Sequence, residues 1–404
     1  MTIHRLADIP IPIRLPRRWF WLLGIVFGVF SVGVIAGAPF YSYVDFPQFW
    51  AAGRTVGTPD LLDPVRHMAW EAANGIRGDH FPYPPGTAWL FWPFAQTSIA
   101  AGFWLHAAVM TSLVGVAGVL GARTFGLDRR VGLIAAFAWA PCMASAVTGQ
   151  NSVLGLVLAL VTMEGLRSGR KDLAGLGVGL LLYKPQLALP LVGLLLLRRQ
   201  WRSLLVAAAM APVWYLLAVA ATGGDWLWPG ALVSSLNGYV APNTAWNAVR
   251  TLSMPGVLMG WGVPALPVWT LAGAIVIAAI PVVLRRPLPE AAAGAVVVGL
   301  LVSPHALNYD GALVLPLIMW ACGATAAGIA EPWRTRLLLG AYLIAPEYIF
   351  SESVGLSSLA LVVVVGALIW ISGWRRIGGQ SSGAGEDAGE DESTRIRATD
   401  AAST

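Results

Sequence analysis

Four groups of polar residues interrupt an otherwise apolar sequence, and their types suit an anionic, lipid-borne substrate. Asp45, in Tyr43-Val44-Asp45-Phe46, puts a carboxylate where the first apolar run gives way to polar sequence. Its ordinary alternative is a helix cap, because Asp is a favoured N-cap residue. Lys184 stands before Pro185 inside an apolar stretch. An ammonium at membrane depth is costly unless an anion or water meets it, and the alternative is a lysine that snorkels to the surface. A neutral side chain at 184 is expected to be cheaper to bury. Pro185 frees backbone groups, as at membrane ion and phosphate sites. Gln150-Asn151 at a turn, and His305 with Asn308, Tyr309 and Asp310, complete the set. A lone histidine in such a place is more often a satisfied polar residue. Glu347 and Glu352 read as loop solvation. A lysine can hold a phosphate as a point charge, and the 19 tryptophans offer flat faces to lipid and sugar rings. The sequence has no Walker loop, HExxH, GxSxG or Cys/His metal pattern, so neither a metal nor a cofactor is expected.

The elements that position these groups are membrane helices. Of 404 residues, 57% are hydrophobic and 12% charged, against about 25% charged in soluble domains. No charge lies between Arg18 and Asp45, Asp79 and Arg123, Arg130 and Glu164, or Arg250 and Arg285. Each window can hold a span of about 20 residues. The net charge of +5 is therefore no nucleic-acid signal, because Lys and Arg gather at span ends as the positive-inside rule expects. Cys142 and Cys322 sit in apolar runs and read as small hydrophobes.

The basic clusters set the expected topology. Arg14, Arg17 and Arg18 put residues 1–19 in the cytoplasm and send a retained helix, Phe20 to about Gly37, outward; its length argues against a cleaved signal peptide. Placing Arg123/Arg129/Arg130, Arg167/Arg170/Lys171, Arg198/Arg199/Arg202, Arg285/Arg286, Arg334/Arg336 and Arg375/Arg376 inside requires paired crossings between them. The pairs are two short helices within 131–166, broken by Pro141 and by Gly149-Gln150-Asn151, two half-helices within 172–197 broken at Lys184-Pro185, then 203–224 with 264–284, 290–302 with 311–328, and 337–350 with 354–374. The tally is about 12 crossings in an all-α polytopic domain over 20–376. The first outer loop, about 40–85, carries apolar Phe46, Phe49, Trp50 and Val65, Met68, Ala69, Ala72 at helical spacing. That spacing predicts two amphipathic helices on the membrane surface, with Trp50 and Trp70 at headgroup depth. A second outer loop spans about 225–262, and the Gly/Ser/Ala-rich acidic tail, 377–404, is expected to be disordered on the cytoplasmic side.

Several short motifs occur in a fixed order. They are Asp45-Phe-Pro-Gln-Phe-Trp-Ala-Ala-Gly53, Leu61-Leu-Asp-Pro64, Pro82-Tyr-Pro-Pro85, Gly149-Gln-Asn151, Lys184-Pro-Gln186 with Arg198-Arg199, and Ser303-Pro304 with Asn308-Tyr309-Asp310. In this order they resemble glycosyltransferase family 87, polyprenyl-phosphate-sugar-dependent transferases that include actinobacterial mannosyltransferases. The resemblance implies a GT-C fold with surface helices in the first outer loop, in the bacterial inner membrane. It also implies an inverting, metal-independent transfer of mannose or a pentose such as arabinofuranose to a glycolipid or glycan acceptor outside the cytoplasm. Asp45 would be the general base. Lys184, with His305 or Arg250, would hold the polyprenyl phosphate, while Tyr83, Gln150, Asn151, Tyr309 and Asp310 would contact substrate. The mannosyltransferases tend to have histidines where this chain has Tyr309 and Asp310, and His305 is the available substitute. The competing class is a transporter or flippase of a lipid-linked sugar, which also uses half-helices and embedded charge. No internal repeat supports it, and the polar residues gather at span ends instead of the midplane. A structural envelope subunit with a dead site is a third class.

Overall fold

The computed structural model describes residues 45–76, 81–236 and 251–326 of the 404. They are helical, with no strand among them beyond one isolated bridge, Thr251 to Leu307. The first connection holds α1 (Phe46–Thr55), α2 (Pro64–Ala73), a 3-10 helix (Pro85–Leu90) and the short α3 (Trp92–Ala95). Proline is the first or second residue of each of these four, where its missing N–H costs nothing. Asp63 caps α2 by accepting from Val65 N and Arg66 N at 3.0 and 3.1 Å.

The long α4 (Ile99–Phe125) begins at the Ser98 cap and ends at left-handed Gly126. Next come α5 (Arg129–Ala138) and α6 (Ala140–Val147), which meet at a 58° bend. Pro141 enforces that bend, because it cannot continue the hydrogen-bond ladder of α5. Buried Trp139 sits at the break and donates from Nε1 to Gly311 O at 2.8 Å. Then follow α7 (Ser152–Arg167), α8 (Lys171–Leu180), a 3-10 turn (Leu181–Tyr183), α9 (Pro185–Leu197) and α10 (Trp201–Ala221). After α11 (Met254–Gly260) come α12 (Ala265–Arg285), α13 (Leu288–Val302), the 3-10 helix Asn308–Val314 and α14 (Leu315–Ala326).

Small residues let the helices approach closely, as expected where lipid cannot drive association. A Cβ on Gly118 of α4 would lie 2.9 Å from Gly132 O of α5, and one on Gly175 of α8 would lie 2.7 Å from Val206 of α10. α7 packs against α4 and α8, α9 against α13, and α12 against α13. Large apolar side chains such as Leu205, Leu266 and Ile277 stay exposed on α10 and α12, as a lipid-facing surface requires.

Among the described residues three helices, α4, α10 and α12, are long and apolar enough to cross a membrane, or four spans if the bent α5–α6 pair is one. The half-helix reading of 172–197 matches α8 and α9, which break at 181–184. The expected spans at 20–37, 337–350 and 354–374, the tail, Glu347, Glu352 and Arg250 lie outside the described residues. The surface-helix expectation needs correction. Phe46, Phe49 and Trp50 of α1 are buried within the protein, and Trp50 donates to Thr97 O at 3.1 Å. Their spacing says that one face is covered, and protein covers it instead of lipid. On α2 Val65, Ala69 and Ala72 are exposed, while His67 and Glu71 are buried together with Nε2 and Oε1 3.5 Å apart.

Candidate active site

Asp45 occupies the N-cap position of α1, but its side chain accepts no hydrogen bond from that helix. The carboxylate turns across the chain instead, and Gln150 Nε2 donates to its Oδ2 at 2.8 Å. The cap alternative therefore does not describe how this carboxylate is used. The turn carrying Gln150 begins at Gly149 in the left-handed region, φ 81°. A Cβ on Gly149 would lie 2.8 Å from Phe46 Cα, so only glycine lets the turn rest directly on the residue after Asp45.

Lys184 occupies the N-cap position of α9 without capping it, and it does not snorkel. Its Nζ lies 2.7 Å from Asp310 Oδ1, and the two side chains are 2% and 1% exposed. Ser152 Oγ donates to the same Oδ1 at 2.6 Å, and Leu307 N donates to Oδ2 at 3.2 Å. The ammonium also faces two rings, 5.3 Å from Tyr309 and 5.9 Å from Tyr83. The expectation that a neutral side chain at 184 is cheaper to bury is corrected here, because it would strand the Asp310 carboxylate.

Tyr83 lies within electrostatic reach of both carboxylates. Burial holds its hydroxyl proton well above the ordinary tyrosine range, and the Asp310 and Asp45 carboxylates push in the same direction. His305 lies in the connection after α13, and its backbone N donates to Ser303 Oγ at 3.1 Å. Burial lowers its proton affinity; Asp310 opposes that shift and Lys184 adds to it. Asp45, Tyr83, Gln150, Lys184, His305, Tyr309 and Asp310 thus belong to one neighbourhood. Asn151 adjoins it, with both side-chain amide atoms buried and unpartnered, as is Gln150 Oε1. Arg250 lies outside the described residues, but the next residue, Thr251, pairs with Leu307, and Leu252 N donates to Ala306 O at 2.8 Å.

Sequence reasoning missed four supporting residues. Ser152 shares Asp310 with Lys184, Tyr183 Oη donates to Asn151 O at 3.0 Å, and Thr87 Oγ1 donates to Tyr183 O at 2.9 Å. Trp139 joins the α5–α6 break to the 3-10 helix that carries Asp310. Ser152 directly follows Gln150-Asn151 and Tyr183 directly precedes Lys184. Adjacency to the polar pairs was the available signal.

Fold and site together define an all-helical membrane protein with a buried, mixed-charge polar cluster at helix breaks. Residues 81–304 match Glycosyltransferase family 87; the chain belongs to that family. Asp45 precedes the matched residues and His305, Tyr309 and Asp310 follow them, so the tertiary structure is what joins these residues to the family region. Among curated proteins, the chain is similar to alpha-(1->3)-arabinofuranosyltransferases of Mycobacterium tuberculosis strains CDC 1551 / Oshkosh and ATCC 25618 / H37Rv. Each is 34% identical over 145 residues, 33% of this chain and 33% of the relative. The chain therefore spans about a third of the length of the curated relatives it matches. No solved structure matches.

Proposed function

We propose that this protein is an inverting, metal-independent glycosyltransferase that moves a sugar from a polyprenyl-phosphate donor to a glycolipid or glycan acceptor on the extracytoplasmic side of the inner membrane. The observation that carries this reading is the Asp45 carboxylate, which caps no helix and is held across the site by Gln150 at 2.8 Å. Asp45 takes the proton of the acceptor hydroxyl while that oxygen attacks the anomeric carbon from the face opposite the phosphate. The carbon–oxygen bond to phosphate breaks, its electron pair leaves with the polyprenyl phosphate, and Asp45 later returns its proton to water. The relatives are named for arabinofuranosyl transfer, which favours the pentose over mannose as the transferred sugar.

Lys184 stabilises the departing phosphate by exchanging partners. A phosphate oxygen replaces Asp310 at the ammonium, and Asp310 keeps the Ser152 hydroxyl and the Leu307 N–H. His305 and Arg250 support the same charge. Tyr83 and Tyr309 flank the ammonium as ring walls, Asp310 orders it, and the unpartnered amide atoms of Asn151 match sugar hydroxyls in donor and acceptor character.

The test uses purified full-length protein with synthetic polyprenyl-phosphate arabinose, mannose and glucose. Transfer from the arabinose donor is expected, and Asp45→Asn should lower it by about 10²–10⁴-fold with donor binding intact. Transfer at the wild-type rate by Asp45→Asn overturns the mechanism. Lipid translocation without transfer, in both proteins, would assign the chain to the transporter class.

A further inference from the structure

The contact between Gln150 and Asp45 has a consequence beyond substrate binding. Gln150 is 2% exposed, and its main chain is fixed twice to buried Ser145: its N donates to Ser145 O at 2.9 Å and its O accepts from Ser145 Oγ at 3.2 Å. Left-handed Gly149 presses the same turn onto Phe46. Both ends of the 2.8 Å bond are therefore anchored by backbone, Asp45 through the start of α1 and Gln150 through the turn. A carboxylate only accepts, so the Gln150 amide must present N–H to it. That bond occupies Oδ2 and fixes the rotation of the carboxylate plane. A hydrogen bond to the charged form also favours that form, which is the form a general base requires.

We infer that Gln150 is a positioning residue that orients the Asp45 carboxylate and keeps it ionised for proton abstraction, so that it governs catalytic rate more than substrate affinity. This rests on the reading of Asp45 as the base. Misplacement of a reacting group by about 1 Å can cost about 10²-fold in rate, and Gln150→Leu removes the donor at nearly constant volume.

The experiment measures full-length wild type, Gln150→Leu, Asp45→Asn and the double variant with a polyprenyl-phosphate arabinose donor, by steady-state and slow single-turnover transfer across pH. Gln150→Leu is expected to lower kcat by about 10–10²-fold, with donor KM nearly unchanged and the acidic limb of the rate profile moved to higher pH. In the Asp45→Asn background the same substitution should cost nothing further. A raised donor KM with the pH profile in place, or an equal loss in both backgrounds, overturns the inference. If Gln150→Leu does not fold, Gln150→Glu serves: a second carboxylate facing Asp45 should move the acidic limb upward, and an unmoved limb overturns the inference equally. Wild-type transfer by Asp45→Asn sinks the parent reading separately, whatever Gln150 does.

Discussion

Replacing Lys184 by Met tests whether the polar cluster is an ion pair sealed inside the protein. Both side chains are all but inaccessible and 2.7 Å apart. Removing one partner of a buried pair costs about 3–5 kcal/mol, because the surviving charge keeps its desolvation without its counter-ion. Here the survivor is Asp310, which still accepts from Ser152 Oγ at 2.6 Å and Leu307 N at 3.2 Å. Those two donors place the expected loss for Lys184→Met near the lower end, about 3 kcal/mol. Asp310→Asn removes the counter-charge and leaves the ammonium a neutral amide and the rings of Tyr309 and Tyr83, worth about 0.5–2 kcal/mol as cation–π contacts, so its loss should be at least as large. The double variant Lys184→Met/Asp310→Asn buries no lone charge, and the amide can still serve Ser152 and Leu307. Its loss should fall short of the sum of the single losses by about 2–3 kcal/mol, within the usual range for residues in contact. Reversible denaturation of the detergent-solubilised protein, followed by tryptophan fluorescence, measures all four. Losses that add within about 0.5 kcal/mol, or a Lys184→Met protein as stable as wild type, would refute the sealed pair.

Gly149→Ala should destabilise by at least about 1–2 kcal/mol from left-handed backbone alone and should abolish most transfer, since the added methyl meets Phe46; a thermal melt and the transfer assay check both. His305 has its proton affinity lowered in the folded protein, chiefly by burial, so the unfolded chain binds the extra proton first as pH falls. Stability from this group is full above about pH 6.5, the unfolded histidine value, and is lost as pH falls toward the lower folded value. His305→Gln should flatten that part of the stability–pH curve, and an unchanged slope would show that His305 does not supply it. Asp60→Cys, in the same connection as Asp45 and 39% exposed at the side chain, should react with an impermeant maleimide in intact cells. Arg202→Cys, 69% exposed, should not, and the reverse pattern would put the site on the cytoplasmic side.

The sequence by itself determined the class and the breaks. Charge-free windows bounded by basic clusters dictate membrane helices, because each charge left in lipid is costly and backbone groups there must pair internally. Pro141, Gly149 and Pro185 marked where helices stop, since ring closure and positive φ act within a residue or two of their position. The same local physics said that Lys184 needs an anion and that Phe46, Phe49 and Trp50 share a covered face. It could not say which anion or what cover. Asp310 is 126 residues from Lys184, and Gln150 is 105 from Asp45. Partners at that separation are chosen by how α6, α7, α9 and the 3-10 helix Asn308–Val314 pack, and no nearby residue encodes that choice. Asp45 illustrates the division. Its position before α1 favoured a cap on local grounds, and only the turn at Gly149, pressed onto Phe46, offered the carboxylate a different donor. Helical spacing likewise registers that a face leaves water, but lipid and protein interior are equally apolar to it, so the covering of α1 by protein was decided by tertiary packing.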